Sequence, residues 1–196
     1  MVLRGIYYIC VDKVYAMGIE QPSKYYDAIY RRSREYKGHY SDVRWLPMFE
    51  RAMQFLVRGS ILELGCGVGQ FAHMLYDMGM ERYTGIDFSQ EAIRQCKSKS
   101  LKGYDFICDS IYNCIEMDCY DNIVAFEVFE HLDDLQVLSM IPKGKNLIIS
   151  LPTFGGKAHL RYFETKGEIE RYYEGVIGIG GIERVINWHL IVGEKL

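Results

Sequence analysis

ILELGCGVGQF, residues 61–71, is the stretch that decides how this chain folds. It begins as a short apolar run with the pattern of a buried strand (60–64). It then breaks into three glycines at alternate positions, Gly65, Gly67 and Gly69, which gives E-x-G-x-G-x-G counted from Glu63. The residues after the glycines have helical spacing. Phe71, Met74, Leu75 and Met78 fall at three- and four-residue steps in a helix predicted over 70–78, with Gly79 as its stop. Glycines between a strand and a helix let the backbone turn tightly and approach a bound molecule with no Cβ in the way. The helix start behind them offers unpaired N–H groups. A glycine-rich turn serves equally well as a plain tight turn, so the reading rests on its flanks.

Downstream the chain alternates. Strands are predicted at 82–88 (RYTGIDF), 104–108 (YDFIC), 121–127 (DNIVAFE) and 146–151 (NLIISL), with two more near 179–186 and 188–194. Ser89 reads as the N-cap of a helix to about residue 100, a short helix lies near 133–140, and Thr165-Lys166-Gly167-Glu168 reads as a capping box opening a helix to about 173. Strands alternating with helices imply an α/β fold: a doubly wound, mostly parallel, seven-stranded Rossmann-like sheet. The last two strands have only about one residue between them. No crossover fits there, so they should form an antiparallel hairpin. Upstream, residues 20–58 read as helical. In RWLPMFERAMQFL (44–56) Trp45, Met48, Phe49, Ala52, Met53 and Leu56 recur at helical steps, and Tyr25, Tyr26, Ile29, Tyr30 and Tyr36 form a looser series before a break at 37–40. The chain is thus expected to divide into an N-terminal helical extension, 1–58, and a ligand-binding domain, 59–196.

Two acids sharpen the site. Asp87 ends the second strand, where a carboxylate can bridge two ribose hydroxyls, and Asp109 comes after the third. Glycine loop, Asp87, Asp109 and terminal hairpin together resemble the class I S-adenosylmethionine-dependent methyltransferases across residues 60–195. That resemblance implies S-adenosylmethionine as cofactor. It implies that the glycine loop (Glu63, Gly65, Cys66, Gly67, Gly69) carries the methionyl end, that Asp87 holds the ribose and Phe88 packs on adenine, and that Asp109, with Ser110, meets the adenine amino group; Glu127 completes the cofactor set. The dinucleotide fingerprint G-x-G-x-x-G does not fit, because the third glycine comes one residue too soon.

The fourth strand runs into AFEVFEHLDD (125–134). Neither the Asn/Asp-Pro-Pro-aromatic tetrad of nucleic-acid amino-methyltransferases nor the Pro-Cys of cytosine C5 enzymes is there. The segment resembles the E-x-x-E-H stretch of small-molecule O-methyltransferases. If the chain is helical there, Glu127, Glu130 and His131 share a face. Two carboxylates and an imidazole so close need a cation or a proton to relieve repulsion. His159 comes later, in HLRYFETKGEIE (159–170). The combination resembles ubiquinone-pathway polyphenol O-methyltransferases and small-RNA 3′-terminal 2′-O-methyltransferases. In the latter, matching residues hold Mg²⁺, which implies Glu127, Glu130, His131 and His159 as ligands of Mg²⁺ or another divalent metal. The other reading is that Glu130 and His131 cap and anchor the strand-to-helix turn. As catalytic residues we expect His131, Glu127 and His159. With no metal, the cluster should contain a histidine whose pKa is raised by the carboxylates.

The composition bounds the rest. The 196 residues are 49% hydrophobic and 25% charged, with net charge −3, enough for one well-buried domain and unlike a dedicated duplex-DNA binder. Residues 21–58 are the exception, with eight Lys or Arg against four acids. Their basic excess reads as a solvated face or as attraction for an anionic acceptor. The segment is expected to roof the acceptor pocket and to stay off the adenine end. Six cysteines show no zinc spacing, no signal-peptide pattern opens the chain and no run suits a membrane span, so a reducing cytoplasm is expected. The expected activity is O-methylation of a small polar acceptor, such as a sugar, polyphenol or nucleotide-like hydroxyl. An RNA-terminal ribose methyltransferase and a non-catalytic methyltransferase-like subunit are the alternatives.

Overall fold

Seven strands form one sheet in a computed structural model of the chain, which describes residues 18–196 apart from residue 115. The stretch 1–17 of the expected N-terminal extension lies outside the described residues. The strands are β1 (Ile61–Leu64), β2 (Tyr83–Asp87), β3 (Tyr104–Cys108), β4 (Asn122–Phe126), β5 (Asn146–Pro152), β6 (Ile177–Val185) and β7 (Trp188–Lys195). Their order across the sheet is β3-β2-β1-β4-β5-β7-β6. The first five strands run parallel. β7 is antiparallel to both β5 and β6, so the expected terminal hairpin is present, turning at Ile186 with φ +56°.

The helices are α1 (Ser23–Arg32), α2 (Leu46–Met53), α3 (Gln70–Asp77), α4 (Gln90–Ser98), α5 (Asp134–Met140) and α6 (Lys166–Tyr172). β1, β2 and β4 are buried along their whole length, as strands covered on both faces must be. One core contains Leu62, Leu64, Phe129, Val137 and Tyr173. A second joins α3 to the N-terminal segment through Met48, Phe49, Ala52, Phe71 and Trp188. The sequence signals for helix starts are realised: the Ser89 hydroxyl accepts from the Ala92 N–H, and Thr165 and Glu168 form a reciprocal capping box.

The segment 20–58 is less regular than its periodicity implies. α1 stops where Ser33 turns extended, a 3-10 turn occupies Tyr40–Asp42, and only then does α2 begin. α2 buries Met48, Phe49 and Ala52, whereas α1 has no buried residue and rests mainly on α4. Strand order reverses between β1 and β4, and their carboxyl ends open a crevice at this switch point, where ligands bind in such sheets.

Candidate active site

The glycine loop leaves β1 at the crevice. Gly65, Gly67 and Gly69 all have positive φ (+68°, +53° and +73°). At Gly65 a Cβ would stand 2.3 Å from Val128 Cγ2, so only glycine lets the loop pass the end of β4. The Gly65 and Cys66 N–H groups both donate to the Ile86 carbonyl, which ties the loop to β2. Asp87 completes the cradle. Its Oδ2 accepts from the Gly67 N–H at 2.9 Å and its Oδ1 from the Ser89 N–H at 2.8 Å. Burial pushes this carboxyl up to about 6 against the pull of those two N–H groups. Glu63, buried beside it, accepts from the Tyr83 hydroxyl and is pushed up to about 8 by burial.

These residues line a cleft of ≈ 1010 Å³, counting the solvent at its mouth. Glu63, Gly65, Cys66, Gly67, Asp87, Phe88, Ser110, Glu127 and His131 all contribute to its walls. Two expected cofactor residues do not. Gly69 packs instead against Cys96 and Phe106, as the left-handed start of α3. Asp109 is exposed and its Oδ1 is engaged by its own loop, accepting from the Ser110 N–H at 2.7 Å and from Asn113 Nδ2 at 2.8 Å. An open glycine cradle with two buried carboxyls whose charged forms are disfavoured fits a cofactor that carries an ammonium and a sulfonium, whose positive charge would stabilise both carboxylates.

The other half of the cleft is walled by the N-terminal segment through Tyr26, Tyr30, Tyr36, Trp45, Met48 and Phe49. The sequence exposed these residues only as helical periodicity; their role depends on where α1 and α2 dock. Gln70 fixes that docking. It accepts from Trp45 Nε1 at 3.2 Å and donates to the Glu35 and Gly38 carbonyls, each at 3.1 Å. α1 also reaches the cofactor side, contrary to expectation. Tyr26 packs on Phe88 with ring centroids 5.4 Å apart, and Asp27 accepts from Ser89 Oγ at 2.6 Å. The reason is that α1, having no core of its own, docks on α4. Nor does the basic excess face the acceptor. Among the described residues no Lys or Arg lines the cleft; Arg31 and Lys37 border a shallow groove outside it. Arg44, lying over Trp45 and Trp188, only lowers the Glu127 carboxyl from a distance.

The E-x-x-E-H segment is not helical. Glu127 has φ +56°, and the next residues form a turn closed by the His131 N–H on the Val128 carbonyl. Glu127 and Glu130 therefore do not share a helix face. Glu127 turns to β5, where its N–H donates to Ser150 Oγ and its Oε1 accepts from the same hydroxyl; burial pushes it up to about 7. The four-ligand metal set is corrected to three, because only Glu130, His131 and His159 bring ligand atoms within 4.8 Å of one another. The segment carrying His159 is drawn in by the Leu160 N–H on the Glu130 carbonyl (2.6 Å) and by Arg161, which donates to the Phe129 and Leu132 carbonyls. The His131 and His159 rings lie 5.0 Å apart. Glu130 is fully buried, and neither carboxylate oxygen has a hydrogen-bond partner. Burial and the neighbouring Glu127 push it well above the usual carboxylate range. No histidine here is raised. Burial lowers His131 to about 4 and lowers His159 as well. The expected Coulomb effect fails because a Glu130 that holds its own proton offers His131 no negative charge.

Fold and crevice together define the class: they are those of the class I S-adenosylmethionine-dependent methyltransferases. Residues 61–145 match a methyltransferase domain family. The chain is 32% identical over 142 residues to malonyl-[acyl-carrier protein] O-methyltransferase of Bacillus cytotoxicus, covering 69% of this chain and 46% of that protein. It is 26% identical over 110 residues to the mitochondrial ubiquinone biosynthesis O-methyltransferase of Dictyostelium discoideum, covering 46% and 34%. The chain thus spans less than half the length of these curated relatives. Magnesium protoporphyrin IX methyltransferase from Synechocystis, solved with bound S-adenosylmethionine, shares the fold, with a TM-score of 0.61 and 14% identity over 89% of this chain and 97% of that one. No helix of the described residues is long and apolar enough to cross a membrane.

Proposed function

We propose that this chain transfers the methyl group of S-adenosylmethionine to a hydroxyl oxygen of a small acceptor. One observation carries the reading. The cradle opens directly into an aromatic chamber lined by carboxyls, tyrosines and an imidazole, with no Lys or Arg among the described lining residues. The chain itself offers a carboxylate acceptor no counter-charge beside Glu63, Asp87 and Glu127, so much of its desolvation would go uncompensated. A neutral hydroxyl on a ring suits the chamber of Tyr26, Tyr36 and Trp45. The names of the relatives support oxygen as the methylated atom.

The bound cofactor supplies an electrophilic methyl group. The chain's residues position, exclude water and take a proton. Tyr26, Tyr36 and Trp45 hold the acceptor in line, which supplies much of the acceleration in a displacement of this kind. His131 Nδ1 lies 3.0 Å from the Ala158 carbonyl, so its proton belongs on Nδ1 and Nε2 is left as the base. Burial keeps the ring uncharged at neutral pH. The acceptor oxygen becomes strongly acidic as its bond to carbon forms, so a weak base suffices. The donor set of Glu130, His131 and His159 also fits a divalent ion. Glu130 is an orphaned buried carboxyl, and His159 Nδ1, like that of His131, is engaged by a carbonyl, that of Phe154 at 3.2 Å. These three residues would hold the ion, which would lower the pKa of a neighbouring hydroxyl.

The test uses methyl-labelled S-adenosylmethionine with a panel of ortho-diphenols, sugars and malonyl thioesters, before and after exhaustive chelation. Label in an O-methyl ether supports the reading. Label confined to carboxyl esters or to nitrogen defeats it, and full activity after chelation removes the ion. Retention of the cofactor with no transfer to any acceptor would favour a binding subunit.

A further inference from the structure

A second set of ligand-type side chains gathers on the outer face, away from the cleft. His73 and Asp77 stand one turn apart on α3, and His39 meets them from the start of the 3-10 turn. His39 Nε2 lies 4.0 Å from Asp77 Oδ2, and His73 Nε2 lies 3.9 Å from Asp77 Oδ1. The two imidazole rings are 4.7 Å apart, and one ligand atom from each residue falls within 4.8 Å of both others. These separations are too long for hydrogen bonds, and two protonated imidazoles side by side would repel. They are close to what a metal needs. Ligands about 2.0–2.2 Å from a tetrahedral zinc ion stand roughly 3.3–3.6 Å from one another, so small side-chain rotations close the set.

The neighbours orient these ligands. The Tyr40 hydroxyl donates to Asp77 Oδ2 at 2.9 Å. His39 Nδ1 accepts from the Ser41 N–H at 3.3 Å and lies 2.9 Å from Ser41 Oγ, whose hydroxyl in turn donates to Asp42 Oδ1 at 3.2 Å. A metal on Nε2 would move the His39 proton to Nδ1, where Ser41 Oγ can accept it in place of the Ser41 N–H bond and hold the metal-bound imidazole by its other nitrogen. His39 and Asp77 are exposed and His73 is half-buried, so an ion can enter from solvent.

We propose that His39, His73 and Asp77 form a transition-metal site, suited to Zn²⁺, that clamps the N-terminal wall of the acceptor chamber to the helix of the glycine loop. Two imidazole nitrogens and one carboxylate oxygen favour zinc, nickel or cobalt over magnesium or calcium, with solvent as the fourth ligand. The clamp has consequences at the cleft because its two sides are parts of it. α3 starts at the glycine loop, and His39 lies between Tyr36 and Trp45, both cleft-lining residues. The ion adds a crosslink beside the Gln70 bonds that already join these parts. The proposal does not depend on methyl transfer.

The test uses the full chain carrying His159→Ala, so that the cleft cluster is disabled as a competing site. This protein is stripped of metal and titrated with Zn²⁺ by calorimetry. It should bind one ion in the micromolar range or tighter. Adding His39→Ala or His73→Ala should weaken binding at least tenfold. Tyr40→Phe, which removes only the orienting bond to Asp77, should weaken it by about tenfold. Hydrogen exchange of the amides in 33–45 should slow with Zn²⁺ and be unchanged when His73→Ala is added. Circular dichroism verifies that each variant is folded, and Asp77→Asn repeats the test with an isosteric change. Zn²⁺ affinity unaffected by His39→Ala and His73→Ala would overturn the site. Tight binding that leaves exchange in 33–45 unaltered would overturn the clamp.

Discussion

Asp87→Ala separates cofactor recognition from folding, and the structure sets the expected size of each effect. The carboxylate accepts two backbone N–H groups, from Gly67 and Ser89. Losing them leaves two donors at the loop and costs the fold about 1–3 kcal/mol each if they stay dry. Against this, the carboxyl titrates at about 6 instead of its usual 3.8. At about 1.36 kcal/mol per pH unit, that displacement disfavours the charged form by about 3 kcal/mol at neutral pH with the two N–H bonds already included, so burial alone costs more than this and alanine removes that cost. The two effects oppose each other, so the cofactor-free variant should unfold within a few degrees of the wild type. Ligand binding has no such compensation. Each hydroxyl bond to a carboxylate contributes about 1.5–3 kcal/mol, so S-adenosylhomocysteine should bind at least about tenfold more weakly. Calorimetry at pH 7.5, beside thermal unfolding without ligand, measures both. A dissociation constant within threefold of wild type, in a variant shown to be folded, would refute the assignment of Asp87 to the ribose.

The same geometry sets other expectations. Glu63, Glu127 and Asp87 have folded values raised by burial to about 8, 7 and 6, so the folded state holds protons that the unfolded chain releases near pH 4. The contribution of these three groups is therefore full below about pH 4 and is lost as pH rises towards 8. The urea midpoint without cofactor should fall from pH 5.5 to 8.5, and Glu63→Gln should shrink the drop; a midpoint that rises over this range contradicts the burial argument. Gly65→Ala places a Cβ 2.3 Å from Val128 Cγ2 at φ +68°, and should cost about 2–5 kcal/mol from strain and overlap together. A melting temperature within two degrees of wild type would show that the loop yields. Glu130→Met replaces a buried carboxyl that has no partner, and should raise stability by about 1–3 kcal/mol while removing the chelation-sensitive part of methyl transfer. Loss of stability would mean that Glu130 has a structural partner.

The alternation of strands and helices was legible because it is written locally. Ser89 and the Thr165–Glu168 pair declare their helix starts within four residues, and the short link between β6 and β7 leaves room only for a hairpin. Asp87 was legible for the same reason, since the end of a strand fixes where its side chain goes. The acceptor side was not. Glu127, Glu130 and His131 have helical spacing, but a left-handed residue 127 sends Glu127 to Ser150, which lies 23 positions away. The protonation of His131 depends on burial under distant chain, including the Ala158 carbonyl, and neighbouring letters carry no trace of it. Asp109 follows β3 as expected but lies outside the cleft walls, its Oδ1 taken by two donors of its own loop.

The unequal anchoring of α1 and α2 has a consequence for traffic through the cleft. α2 is part of the core and cannot leave without unfolding the protein, so it is a fixed wall. α1 is held by Asp27 on Ser89 and Glu91, by the Tyr30 carbonyl on Gln95, and by aromatic edges. A few bonds of about 1 kcal/mol each place an undocked α1 only a few kcal/mol above the docked one, a minor population of about 0.1–10%. Small molecules would then come and go by that minor state, on the microsecond-to-millisecond scale of helix and lid motions. Strengthening the grip of Asp27 would tighten retention and slow turnover together.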